Sequence, residues 1–164
     1  MPDAPSADAD EFWAFSLAVY SRPAVAAACL RLQDELGLDV NLLLLCCWLA
    51  RSGRGRLSAD DLAAAEARAA PWRRTVVEPL RAIRRALKTM ADTASASLYA
   101  EIKRLELRAE REEQRKLLAG SLGRRSAGRT VEDDLAANLG LYLACHGHPI
   151  GSAAELISAI WSIG

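Results

Sequence analysis

The most apolar stretch of the chain lies over residues 40–51, between two clear helix boundaries. Gly37 is typical of a residue that ends a helix, and Asp39 is typical of a residue that caps the next one. Every side chain from Leu42 to Leu49 is apolar, so a helix here has no polar face to turn toward water. The pattern predicts a central helix over about residues 40–51, covered on all sides by other helices.

Apolar residues also recur at helical spacing downstream of this central helix. One predicted stripe comprises Val76, Leu80, Ile83, Leu87 and Met90. In the next helix, to about residue 119, the stripe of Leu98, Ile102, Leu105 and Ala109 continues into Glu112 and Lys116. We therefore expect the first half of this helix to be buried, and the second half to project from the body or to lie against another chain.

Ala and Leu dominate the composition, and both favour helix over strand. We predict an all-α, compact helical bundle of seven to eight helices around the central apolar helix. At 164 residues the chain is long enough for one core. The predicted organisation is a mobile tail over residues 1–9, a helical core domain over 10–119, a linker rich in Gly, Ser and Arg over 120–129, and a C-terminal helical pair over 130–164 packed on the core.

Charge is distributed unevenly along a chain whose net charge is zero. Residues 71–129 hold 15 basic and seven acidic residues, whereas the segments on both sides are acidic. A predicted basic helix over residues 72–90 carries a candidate surface for a partner or for phosphate, namely Arg74, Arg81, Arg84, Arg85 and Lys88. This helix lacks the Asn and Gln side chains that read base edges, so a solvated face remains the alternative to nucleic-acid binding.

Cysteine and hydropathy patterns favour a cytoplasmic protein without membrane contact. Cys29, Cys46, Cys47 and Cys145 lack the spacing of a disulfide framework, and we expect all four to be buried reduced thiols. The N-terminus is acidic where a secretory signal requires positive charge. The longest apolar run is far shorter than the roughly 20 residues needed to cross a bilayer.

The sequence contains neither a phosphate-binding glycine loop nor an HExxH motif, and we predict no catalytic residue. Cys145, His146 and His148 lie close together, but Gly147 and the two histidines are typical of a helix end. We therefore predict no metal site and no cofactor.

Four polar residues surround the tight turn before the central helix: Gln33, Asp34, Asp39 and Asn41. Helix capping and turn formation are the simplest role for them. The alternatives are an internal polar network, including one with Arg81 or Arg84, or a small pocket for a ligand or substrate.

The residues of this turn are part of a wider sequence pattern that resembles a known family. The pattern comprises Phe12-Trp13, Val19-Tyr20, Cys29-Leu30, Leu32-Gln33-Asp34, Gly37, residues 39–44, Trp48, Trp72-Arg73 and Pro79-Leu80-Arg81. Over about residues 11–118 this pattern resembles a family of short proteobacterial proteins known only as a domain of unknown function. The resemblance implies a conserved unit, and it implies no activity, cofactor or partner.

Together these features favour a non-enzymatic cytoplasmic protein-interaction or adaptor module. Its surface is predicted on the basic helix 72–90 and on the charged arm 100–119, and its partner is another protein. The first alternative is a nucleic-acid-associated protein that uses the same arginines. The second alternative is a small-ligand binding protein or enzyme with a pocket near Gln33, Asp34, Asp39 and Asn41. The sequence leaves the oligomeric state open.

Overall fold

The structure is a computed structural model that describes residues 7–90, 92–120, 122–124 and 128–162. These residues form α1 (Ala7–Tyr20), α2 (Pro23–Leu36), α3 (Val40–Arg51), α4 (Ala59–Trp72), α5 (Glu78–Lys88), α6 (Thr93–Leu118), α7 (Val131–Cys145) and α8 (Ala154–Trp161). A π-helical segment (Arg73–Val77) joins α4 to α5, and a 3₁₀ turn (Ile150–Ala153) precedes α8. The predicted all-α fold class is confirmed.

The helices belong to two compact units, which we call the first unit and the second unit. The first unit comprises the described residues up to Ala63 and from Gly120 onward, and the second comprises Ala64–Ala119. The division falls inside α4. α7 packs along α3 and belongs to the same unit as the N-terminal helices.

The core of the first unit is built around α3. All side chains from Asn41 to Ala50 are buried, because α1, α2 and α7 each pack against α3. On the α1 side, the rings of Phe12 and Trp48 lie 5.2 Å apart. The prediction of a central helix enclosed by other helices is confirmed for this unit.

Asn138 of α7 fastens the loop after α3 to this core. Its fully buried Nδ2 donates to the carbonyls of Cys46 at 3.3 Å and Gly55 at 3.0 Å, and its Oδ1 accepts from the Leu57 N–H at 2.9 Å. One amide side chain thus satisfies two buried loop groups, the Gly55 carbonyl and the Leu57 N–H, and adds a second hydrogen bond to the Cys46 carbonyl of α3.

The described part of the predicted linker is held against the same loop. Arg56 and Arg124 exchange two backbone hydrogen bonds of 3.2 and 2.9 Å. Gly123, at φ +81°, lies so close to Arg54 that a Cβ would be 2.9 Å from its carbonyl oxygen. Residues 121 and 125–127 of the predicted linker lie outside the described residues, as do residues 1–6 of the predicted tail. α1 begins at Ala7, within the predicted tail.

The second unit contains the antiparallel helices α5 and α6, together with the end of α4. The Trp72 Nε1–H donates to the Ala109 carbonyl at 2.9 Å, and the Arg68 guanidinium donates to two carbonyls in the last turn of α6. α4 does not stop before Pro71 but continues into the π-helical segment, where the Glu78 N–H donates to the Arg73 carbonyl. A π turn here precedes Pro79, which has no N–H for the regular helical ladder.

Cys29, Cys46 and Cys47 are buried, as predicted, whereas Cys145 is exposed at the end of α7. Burial raises the pKa of the Cys29 and Cys46 thiols to about 12, so both remain protonated at neutral pH. The prediction of four buried thiols is wrong for Cys145, because the last turn of α7 lies at the surface. No single described helix combines the length and apolar composition needed to span a membrane; α1 and α2 do so together, but with a bend of 101° between them.

Candidate functional site

The four polar residues of the turn before α3 differ in their burial. Asp39 is the N-cap of α3, since its Oδ1 accepts from the Leu42 N–H at 2.9 Å. Its own backbone N–H donates to the Tyr142 hydroxyl at 2.8 Å. Asp39 and Asn41 are buried, whereas Gln33 is half-buried and Asp34 is exposed.

The helix ends account for part of this polar cluster. The Gln33 carbonyl accepts from the Gly37 N–H at 3.0 Å, where α2 ends. The capping role predicted for Asp39 is confirmed. Tyr142, which sequence reasoning did not single out, completes the arrangement from α7. Its only signal in the sequence is a hydroxyl within an apolar helix, which requires a hydrogen-bond partner when buried.

The end of α7 forms no metal centre with its neighbours. His146 Nδ1 lies 3.1 Å from the Tyr142 carbonyl, and its ring stands edge-on to the Tyr142 ring. Among the described residues, no group of three or more His, Cys, Asp or Glu side chains is arranged to hold a metal ion.

In the second unit, arginines of α5 and the π-helical segment pair with glutamates, mostly on α6. We call this set the charge ladder: Arg73, Arg81, Arg84, Glu66, Glu106, Glu110 and Glu113. Arg84 forms a two-pronged pair with Glu106, and Arg81 Nη2 lies 3.2 Å from Glu110 Oε1. The hydrogen bond to Glu106 raises the pKa of Arg84 above its ordinary value.

The most buried rung of the charge ladder involves an arginine that the sequence did not single out. Arg73 donates from Nε to Glu113 at 2.8 Å and binds both Glu66 oxygens at 2.8 and 2.9 Å. Glu113 is fully buried. Arg73 thus holds Glu66 by two hydrogen bonds and the buried Glu113 carboxylate by a third, a geometry that a lysine could not reproduce.

The five predicted basic contact residues therefore fall into two groups. Arg81 and Arg84 are half-buried and engaged in the charge ladder. Arg74, Arg85 and Lys88 are exposed. A surface that contacts phosphate or an acidic partner therefore rests on these three cations, and that role stays a prediction.

The two halves of α6 are arranged opposite to the prediction. Its second half is buried at Glu113, Gln114 and Leu117, whereas Leu98 and Leu105 of the predicted inner stripe are 46% and 44% exposed and only Ala109 at the end of that stripe is buried as predicted. The expectation that the second half projects is wrong because its polar residues are covered rather than solvated. Of the two predicted pairs, Glu112 with Lys116 is present at 4.0 Å, while the pair of Arg108 with Glu112 is replaced by Arg115 with Glu112.

α5 also exposes side chains that the sequence placed in a core. None of its residues is buried. Ile83 is 46% exposed and Met90, just after α5, is 55% exposed, while Leu87 is half-buried. Together with the apolar residues of α6 they form what we call the hairpin apolar face: Ile83, Leu87, Met90, Leu98, Ile102 and Leu105.

Helix geometry places these residues on one flank of the hairpin. Each residue turns an α-helix by about 100°, so Ile83 and Met90 lie on one side of Arg84 around the α5 axis. Leu98 and Leu105 lie on one side of Glu106 around the α6 axis. Seen from the N-terminus of each helix, they are displaced from Glu106 in the same rotational direction as Ile83 is displaced from Arg84. Because Arg84 faces Glu106 and the two helices are antiparallel, these two sides coincide. The exposed apolar residues therefore form one surface rather than isolated spots.

The comparisons with known proteins identify a family and no individual relative. Searches among curated proteins and among solved structures find no match. The profile of one family, described as protein of unknown function (DUF2390), matches residues 11–117. The match includes most of α1, nearly all of α6 and the helices between them, and it ends before α7. Since it covers more than half of the sequence, the chain belongs to the DUF2390 family of proteins of unknown function.

Proposed function

We propose that the protein is a non-enzymatic protein-interaction module that docks its partner on the hairpin apolar face. The observation that carries this proposal is that the apolar stripes of α5 and α6 share one flank and are left uncovered. Large apolar patches of this kind on a protein surface are typical of sites that bind other proteins.

The charge ladder explains why these apolar residues are available. Salt bridges, rather than apolar packing, occupy much of the contact between α5 and α6. Covering a half-exposed Leu, Ile or Met side chain contributes roughly 1 kcal/mol. The four half-exposed residues of this face, Ile83, Met90, Leu98 and Leu105, therefore supply several kcal/mol to association, before its entropic cost.

Site-specific photo-crosslinking tests this proposal in cells that express the full chain. A benzophenone amino acid at Ile83 samples the hairpin apolar face, and the same group at Lys88, an exposed residue on the other flank of α5, is the matched control. We expect a light-dependent adduct with a protein from Ile83 and none from Lys88. Equal labelling from both positions, or none from either, would contradict the proposed surface.

A second candidate function is nucleic-acid binding through Arg74, Arg85 and Lys88. It is favoured by the exposure of all three cations on the side of α5 away from the apolar face. Replacing them with Glu should abolish any salt-dependent binding of labelled DNA or RNA measured by fluorescence anisotropy. Arg81 is left intact because its replacement would break two ion pairs. A variant with Glu at the exposed Arg22 and Arg129 is the control, and absence of binding by the wild type at low salt removes this candidate.

A further inference from the structure

We infer that the partner on the hairpin apolar face is a second copy of this chain, with α6 of the two copies packed antiparallel. This inference rests on the proposed function, and it specifies both the occupant and its register. The spacing of residues, their size and their charge carry it.

The apolar residues of α6 have the spacing of a coiled-coil seam. Leu98, Ile102 and Leu105 follow one another at intervals of four and three residues. Ile83 and Met90 extend this seam sideways onto α5. Two hairpins packed through such faces form a four-helix bundle, an arrangement in which every apolar stripe is covered.

An antiparallel register pairs side chains of similar size at the centre of the seam. Ile102 of one copy then lies opposite Leu105 of the other. The same pairs recur when the copies are exchanged, as twofold symmetry requires.

The charges beside the seam select the same register. Glu101 and Arg108 are two helical turns apart on the edge of α6 away from α5, and both are exposed. Neither forms an ion pair within the described residues. In the antiparallel register Glu101 of each copy lies near Arg108 of the other, giving two attractive pairs. In a parallel arrangement the outer edges of the two α6 helices would lie on opposite sides of the seam, so Glu101 and Arg108 could not pair with each other.

The other edge of the seam is already occupied. Glu106 lies on that edge and pairs with Arg84 of its own chain. The charges left for a partner are therefore those on the outer edge, and these are self-complementary.

A charge-reversal cycle on the full chain tests both the occupant and the register. Sedimentation equilibrium of the wild type should give twice the chain mass of 17.7 kDa. Glu101→Arg and Arg108→Glu should each weaken the dimer by about tenfold in Kd, because two attractive contacts become repulsive. The double variant exchanges the charges and should restore the wild-type Kd. Lys103→Glu, on the opposite edge of α6, is the matched control, and circular dichroism verifies that each variant is folded.

Leu98→Asp adds an independent measurement, since a charge in the seam should leave only monomer. A dimer that is insensitive to both single reversals, or is not restored by the exchange, overturns the inferred register. A wild-type monomer whose Ile83 crosslinks to a different protein overturns the second copy as occupant and leaves the proposed function standing. A monomer with no crosslink at Ile83 overturns both.

Discussion

The helix pairs α3–α7 and α5–α6 are held together by different forces. Between α3 and α7 the contact is made by fully buried apolar side chains, with Asn138 as the polar group that links the adjoining loop. Between α5 and α6 it is made largely by the charge ladder. The first pair belongs to the first unit and the second pair to the second unit.

This difference determines where apolar surface remains for binding. In the first unit the apolar side chains of α3 are covered by the neighbouring helices, so α3 offers no apolar surface to a partner. In the second unit salt bridges hold the helices while Ile83, Met90, Leu98 and Leu105 stay exposed. A helical hairpin joined by charges can thus present on its flank the residues that would otherwise form its core.

The largest effect is expected from removing packing in the first unit. Leu45→Ala deletes a fully buried side chain of α3 and should lower the free energy of unfolding by about 2 to 5 kcal/mol. Leu105→Ala on the hairpin apolar face should lower it by less than about 1 kcal/mol, because that side chain is already half in water. Urea unfolding at a protein concentration where the chain is monomeric measures both. Equal losses would show that the two regions do not differ in the way described.

A smaller but still large effect is expected at the buried rung of the charge ladder. Glu113→Ala leaves the Arg73 guanidinium with Glu66 as its remaining carboxylate partner and should cost about 3 kcal/mol. Hydrogen exchange followed by mass spectrometry should show faster exchange in residues 64–119 and unchanged exchange in α3 and α7. Lys103→Ala, at an exposed position on the same helix, is the control. In the wild type, slower exchange in α3 than in α6 would agree with a more tightly packed first unit. Loss of protection in both units of the Glu113→Ala variant would contradict the difference between them.

The sequence predicted the first unit better than the second for a physical reason. α3 is apolar on every side, so burial is the only stable outcome, and Asp39 is a strong local cap signal. Both features act locally and can be recognised without knowing what packs nearby. A C-terminal helical pair packed on the core was predicted, but not that α7 lies along α3, because that contact joins residues distant in the sequence.

In the second unit, helical spacing identified the stripes but not their environment. The stripe of Leu98 and Leu105 was assigned to a core, and the charged end of α6 was assigned to solvent. Burial of Glu113 became favourable only because Arg73, 40 residues earlier, supplies a matched guanidinium. Such pairing depends on tertiary contacts, and no pattern within α6 reports it.

The capping role of Asp39 provides a more local test of the first unit. Asp39→Ala removes the acceptor for the Leu42 N–H at the start of α3 and should cost about 1 to 2 kcal/mol. Asp39→Ser retains a cap and should recover most of that loss. Thermal unfolding of the three proteins measures the difference. If Asp39→Ser is no more stable than Asp39→Ala, the Asp39 side chain stabilises the fold by something other than capping. A binding role for the polar residues around it would then need to be tested.

The smallest effect concerns Asp61, near the start of α4, where the first unit also depends on a charged group. Asp61 and Ser58 exchange hydrogen bonds of 3.0 and 3.1 Å. The hydrogen bond from the Ser58 N–H lowers the pKa of the Asp61 carboxyl. Because the folded-state pKa lies below the unfolded value near 4, the carboxylate stabilises the fold above about pH 4 and loses that contribution as the pH falls through its folded-state pKa.

Asp61→Asn should therefore reduce stability slightly at neutral pH, by less than about 1 kcal/mol. It should also make the decline in stability below about pH 4 shallower than in the wild type. Asp60→Asn, at an exposed position outside this hydrogen-bonded pair, is the matched control and should leave the decline unchanged. Urea midpoints measured from pH 2.5 to pH 7 compare the three proteins. Parallel curves for Asp61→Asn and the wild type below pH 4 would show that the Ser58 contact does not couple folding of the first unit to protonation of Asp61. The acid sensitivity of the first unit would then come from its other carboxylates.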